Sequence, residues 1–280
     1  MADRTRIAWT DATWNVTTGC SPVSAGCDHC YAVRSASRCR NIAAYEGLVR
    51  DGAWTGRVNL LYDRLGAPVN RSRPRRIFVC STSDLFTPAV PTQFLVEVFA
   101  VMAICPQHQF QILTKRPRRM SSFLTNVDPG EVELAARHWR AGRKELTPHW
   151  GPDDEMPWPL PNLWAGVSIE DDAYAFRARH LLSTPASVRW ISAEPLLGPL
   201  PGLDLSGVDW LVVGGESGPG ARRMSPEWVR DLRERCARSG TAFFFKQAGA
   251  VLGREWGCAH PAGAEIEDVP EEFRVRRYPR

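Results

Sequence analysis

The 280 residues carry 35 basic and 31 acidic side chains, a net charge of +4, with 44% hydrophobic and 24% charged content. This is a folded chain, long enough for one large domain or two ordinary ones, and too weakly charged to be a nucleic-acid binder on charge alone. Eight cysteines are too few for a disulfide scaffold, and neither a signal h-region nor a membrane-length apolar run is present, so a soluble, reduced, cytoplasmic protein without a membrane partner is expected.

In chain order, a weak strand signal in "TWNVTTG" (13 to 19) leads into "CSPVSAGCDHC", with Cys20, Cys27 and Cys30 in a C-x6-C-x2-C spacing. Clear strand patterns follow in "RIFVCS" (76 to 81) and "QFQILT" (109 to 114), with a helix pattern over 91 to 105 between them. Residues 126 to 161 break the rhythm and read as an insertion. Its first half suits a helix, and its second half is rich in proline, tryptophan and acid. Strands return in "NLWAGVS" (162 to 168), "VRWISA" (188 to 193), "DWLVVGG" (209 to 215) and "AFFFKQ" (242 to 247), with helices expected over 171 to 184 and 225 to 240. The last helix has Ser225 as N-cap, Pro226 at its first position and Gly240 as its stop. From 251 onward the sequence is irregular and reads as a tail or flap.

Repeated strand-then-helix units call for a parallel sheet covered by helices. Each clear strand ends on polar or ionisable groups: Ser83 and Asp84, Thr114 and Lys115, Ser168 and Glu170, Ser192 and Glu194, Glu216 and Ser217, Lys246 and Gln247. Barrel sites form at the C-terminal ends of strands, so the expected fold is α/β: a complete or partial TIM-like (β/α) barrel of six to eight parallel strands over residues 1 to 250. "GGESGPGARR" (214 to 223) is not a G-x-G-x-x-G loop after a first strand, which argues against a Rossmann dinucleotide site. Gly214 and Gly215 are instead expected to let a ligand approach the backbone.

Three thiolates in one loop match a 4Fe-4S cluster with an open fourth iron, and structural zinc completed by Cys39 or His29 is the competing reading. Cys80, Cys105, Cys236 and Cys258 read as unrelated thiols. Only three lysines occur, Lys115, Lys144 and Lys246, and the arginines fall in local runs that serve as solvated faces or phosphate sites. Lys115, Glu216 and Lys246 are candidate catalytic groups at strand ends. A basic rim of Lys115, Arg116, Arg118, Arg119, Arg222 and Arg223, flanked by Trp150 and Trp158, is a candidate phosphate or nucleic-acid surface.

Along nearly its whole length the sequence resembles a phage- and bacterium-associated family of radical-SAM-like proteins with a three-cysteine motif. The resemblance is carried by "WNVTTGCSPVSAGCDHCYA", "STSDLF", "FQILTKRPRRM", "LWAGVSIED", "SAEPLLGPL", "DWLVVGGESGPGARRM" and "FFFKQAG". It is more distantly similar to spore photoproduct lyase and its relatives, which repair DNA by radical chemistry. Radical-SAM enzymes usually carry C-x3-C-x2-C; the wider first gap here contains Pro22 and Gly26 and remains compatible with ligation.

The resemblance implies that Cys20, Cys27 and Cys30 hold a 4Fe-4S cluster and that S-adenosyl-L-methionine (SAM) binds its open iron. It also implies a 5′-deoxyadenosyl radical that modifies or repairs a nucleic acid or nucleotide. Ser83 and Asp84 would meet the SAM amino group, and Ser168 with Glu170, or Ser192 with Glu194, its ribose. Implied partners are DNA, RNA or a nucleotide, an electron donor such as flavodoxin or ferredoxin, and a possible partner protein. The other class of function is a non-catalytic metal-binding module that recognises nucleic acid or a partner protein.

Overall fold

The computed structural model describes residues 5–141, 150–151 and 154–279; Lys144 and part of the expected insertion lie outside the described residues. One sheet contains seven strands: β1 (Ala12–Trp14), β2 (Arg76–Val79), β3 (Gln109–Thr114), β4 (Leu163–Ser168), β5 (Val188–Ala193), β6 (Trp210–Gly214) and β7 (Ala242–Gln247). Their order in the sheet is their order in the chain, and the pairs β1–β2, β2–β3, β5–β6 and β6–β7 are parallel. A doubly wound sheet reverses its strand order at a switch point. This one never does, which is the order of a partial (β/α) barrel, and no β1–β7 pairing closes it among the described residues. Every residue of β4 is buried, as expected for a parallel strand covered on both faces.

The chain forms two compact units. The first comprises residues 1–22, 32–165 and 184–187, and the second residues 23–31, 166–183 and 188–280. The second runs without a break through the expected boundary at 250.

In the first unit, β1 to β3 are accompanied by α1 (Tyr31–Arg38), α2 (Thr92–Ala103), α3 (Pro117–Asn126) and α4 (Pro129–Arg140). The insertion is part of this packing. Asp128 caps α4 by accepting from the Gly130 N–H at 2.9 Å, and Trp139 Nε1 on α4 donates to Glu97 on α2 at 2.7 Å. Trp150 is buried and not offered for stacking on a base, while the half-buried Trp158 donates to the Leu124 carbonyl and tilts against Phe99. Two small antiparallel pairs complete the unit: Thr17–Thr18 with Asn59–Leu60, and Val49–Arg50 with Ala53–Trp54.

In the second unit, the end of β4 and β5 to β7 are joined by α5 (Arg177–Leu182), α6 (Pro226–Ser239) and α7 (Ala250–Glu255). Helix α6 begins and ends where its signals place it, with Gly240 at φ +77°, although the Ser225 hydroxyl bonds Glu227 rather than a helix N–H. The Phe245 N–H donates to Val275 O at 2.7 Å and the Arg277 N–H to Phe243 O at 3.0 Å, so the tail lies along the outer edge of β7. No helix among the described residues is long and apolar enough to cross a membrane.

Packing is tight between β4 and β5. A Cβ added at Gly166 would sit 2.3 Å from the ring of Trp190, which is wholly buried beside Trp210. Gly166→Ala is therefore expected to destabilise the protein by about 1–3 kcal/mol through overpacking, read as a lower denaturant midpoint at unchanged slope. An unchanged midpoint would mean that Trp190 has room to give.

Candidate functional site

All eight cysteines are free, and Cys20, Cys27 and Cys30 are half-buried. The segment bearing the last two winds into a short 3-10 turn over Ala25–Cys27, in which the Cys27 N–H donates to Ser24 O at 2.8 Å and the Cys30 N–H to Cys27 O at 3.3 Å. Gly26 has no room for a side chain, because its Cβ would lie 2.5 Å from Glu170. The turn therefore sits directly on Glu170, two residues past the end of β4.

Glu170 is fully buried and is held by Arg177, whose Nη1 donates to Glu170 Oε2 at 2.9 Å and to Ser168 O at 2.8 Å. Its other oxygen accepts from Ser24 Oγ at 2.9 Å. After β6, Glu216 plays the same part. Arg222 donates to it from its backbone N–H at 2.8 Å, from Nε at 2.9 Å and from Nη2 at 2.6 Å. Arg222 also reaches the cysteine turn, with Nη2 2.9 Å from Ala25 O and Nη1 3.3 Å from Asp28. His29 Nδ1 stands 3.0 Å from Glu216 Oε2. The ionised carboxylate can only accept, so Nδ1 carries the proton.

Burial alone would push the Glu216 carboxyl up, but the Arg222 bonds and His29 carry it down to about 2. A carboxyl lowered from its ordinary value of 4.5 contributes stability that is complete above that value and fades as the pH falls toward 2. The Glu216→Gln variant should lose less stability than the parent over that acid window. Parallel acid-unfolding curves would show that the ion pair does not govern it.

The first unit repeats the arrangement at the ends of β2 and β3. Asp84 Oδ1 accepts from the Phe86 N–H at 2.9 Å and from Thr114 Oγ1 at 2.7 Å, while Oδ2 accepts from the Lys115 N–H at 3.1 Å and Arg116 Nη1 at 2.9 Å. Arg116 then grips the chain beside Cys20: Nη2 donates to Ser21 O at 2.8 Å and to Ser21 Oγ at 2.7 Å, and Nη1 lies 3.7 Å from Cys20 Sγ. Burial and the neighbouring Asp84 push the Cys20 thiol up, Arg116 opposes them, and the net value is about 11. Ser83 Oγ donates to Thr17 O at 2.8 Å.

Three strand-end carboxylates, Asp84, Glu170 and Glu216, are thus each paired with an arginine. Each pair fastens part of the cysteine segment within its own unit. Sequence patterns exposed the acids but not Arg177, Ser24, Asp28 or His29 as their partners.

The other expected site residues are placed differently. Lys246 is paired with Glu194. Ser192 O accepts from the Ile169 N–H at 3.0 Å, and Gly214 O accepts from the Leu196 N–H at 2.9 Å. A Cβ at Gly215 would meet Ala248 O at 2.2 Å, so close packing of backbone requires a glycine there. The expected basic rim is largely consumed by the protein. Arg116 and Arg222 bind as described, Arg119 donates to the Thr87 and Val90 carbonyls, and Arg223 forms a paired contact with Glu255 at 2.9 Å. Arg118 is exposed. Among the described residues no three His, Cys, Asp or Glu side chains are gathered as a metal-holding group.

A family model described as a protein of unknown function, DUF5131, matches residues 4–269. The chain belongs to the DUF5131 family. No curated protein and no solved structure gives a match. The DUF5131 match takes in all seven strands, the cysteine segment and the three carboxylate–arginine pairs.

Proposed function

We propose that this DUF5131 chain is a radical-SAM-like enzyme in which Cys20, Cys27 and Cys30 hold a 4Fe-4S cluster. One observation carries the reading: the turn bearing Cys27 and Cys30 is fastened to Glu170 and Glu216 at the C-terminal ends of parallel strands, where barrel enzymes build their sites. The donor chemistry fits, with three reduced, half-buried thiols on one short loop. When bound, such a cluster supplies the electron for reductive cleavage of SAM, which starts hydrogen abstraction from the substrate.

The chain's own residues hold that loop in place. Arg116 sets a cation 3.7 Å from Cys20 Sγ, complementing the charge of a thiolate ligand. Arg222 ties Ala25 and Asp28 to Glu216, and Ser24 ties the start of the turn to Glu170. Lys246 and Glu194 set opposite charges together at the ends of β7 and β5.

Anaerobic reconstitution followed by metal analysis tests the proposal. About four irons and four sulfides per chain, with visible absorption bleached by dithionite, are expected. One zinc per chain and no SAM binding would overturn it in favour of a metal-binding recognition module.

A further inference from the structure

The interval between β1 and β2 carries the entire positive excess of the chain. Residues 32–76 contain ten arginines and only three acidic residues, Glu46, Asp51 and Asp63, so the remainder of the chain is net negative. Arg76 at its end is paired with Asp11, but several others are uncommitted. Elsewhere Arg116, Arg177, Arg222, Arg223, Arg230 and Arg235 are each bonded to a carboxylate. Arg38, Arg40, Arg50 and Arg73 are exposed, and none of them has an ion pair or a side-chain hydrogen bond among the described residues.

The same segment carries fixed local structure. Arg50 stands at the end of a hairpin closed by Asp51 and Gly52, both with positive φ (49° and 76°), a two-residue turn that fixes the strand pairing Arg50 with Ala53. Arg57 Nε donates to Asn59 Oδ1 at 3.1 Å, orienting its guanidinium. Tyr62 is 60% exposed, yet its ring is held edge-on against Phe94 at 5.0 Å. Uncompensated arginine forks suit phosphate oxygens, and a fixed, exposed aromatic ring suits an unstacked base. Tyr62 and Ile42 are the large apolar side chains exposed in this interval, too little for insertion into a lipid surface.

We infer that this arginine-rich segment of the first unit binds single-stranded nucleic acid, with phosphates on Arg38, Arg40, Arg50, Arg57 and Arg73 and a base on Tyr62. This relocates nucleic-acid contact from the rim of Arg116, Arg119, Arg222 and Arg223, whose side chains are bonded to other groups of the chain. The inference does not depend on the cluster, so cofactor content and strand binding are measured separately on the same preparation.

The test is fluorescence anisotropy with a labelled single strand of about 20 nucleotides, titrated from about 50 to 300 mM salt, beside the matching duplex and vesicles of anionic lipid. Substituting Arg38, Arg40, Arg50 and Arg73 together by glutamate should weaken binding at least about a hundredfold and reduce the log–log salt slope by about three. Tyr62→Ala should weaken the single strand about tenfold and leave the duplex nearly unchanged. Arg118→Glu should change affinity less than about twofold, and thermal unfolding of all these surface variants should match the parent. Absence of binding at the lowest salt, parent-like binding by the fourfold variant, or preference for vesicles over the strand would each overturn the inference.

Discussion

Alanine at Cys20, Cys27 or Cys30 is expected to abolish iron loading, from about four irons per chain to essentially none, because a cluster with three protein ligands has none to spare. The same change at Cys39, Cys236 or Cys258 should leave loading intact. Cys236 is buried on α6 with its thiol pushed up to about 12 by desolvation, and Cys258 donates to Asp268 O in the tail; both behave as structural thiols. Iron and sulfide analysis after anaerobic reconstitution, with circular dichroism as a check on folding, separates the two groups. Loss of metal in Cys39→Ala as complete as in Cys27→Ala would mean a fourth thiolate ligand and would favour zinc.

Glu170→Ala should be among the most destabilising single changes in the chain, by about 3–5 kcal/mol, because it leaves the Arg177 guanidinium buried without its counter-charge. Both side chains are almost wholly inaccessible, at 0% and 2%. Ser168 O would remain as a partner for Arg177, but it cannot neutralise the charge. The Glu170→Leu/Arg177→Met double variant should lose less stability than Glu170→Ala, since replacing both charges removes the unpaired group. Urea unfolding of the single and double variants measures this coupling. If the double variant is as unstable as the sum of its two single changes, the pair is not energetically coupled and Arg177 is held by other contacts.

The sheet was largely legible because parallel strands buried on both faces write themselves as continuous apolar runs. "QFQILT", "VRWISA" and "AFFFKQ" coincide with β3, β5 and β7 residue for residue. Helix α3 was hidden by its composition. "PRRMSSFLTN" buries only Pro117, Met120, Phe123 and Leu124, and its arginines read as a charged run. The tail lacked periodicity because its order comes from lying along β7, a tertiary effect.

At the site, the strand-end acids were visible as breaks in apolar runs. Their arginines were not, because Glu216 with Arg222 and Asp84 with Arg116 are joined by loops whose reach no local pattern specifies. For the same reason a cluster of arginines suggested a phosphate rim where the fold makes internal ties. The surplus in residues 32–76 was countable from the start, but it gained meaning only once Arg116, Arg119, Arg222 and Arg223 were seen to be engaged.

The backbone bonds from residues 275–277 to β7 affect how the protein fails as well as how it folds. Strand β7 places Phe243, Phe244 and Phe245 in succession within "AFFFKQ", a six-residue stretch of high β-propensity with a single charge. With an unpaired edge, such a stretch would template strand addition from another molecule. By occupying that edge, the Val275 carbonyl and Arg277 N–H act as a gatekeeper against self-association. Deleting residues 274–280 should therefore promote concentration-dependent amyloid-like assembly at temperatures where the intact chain stays monodisperse.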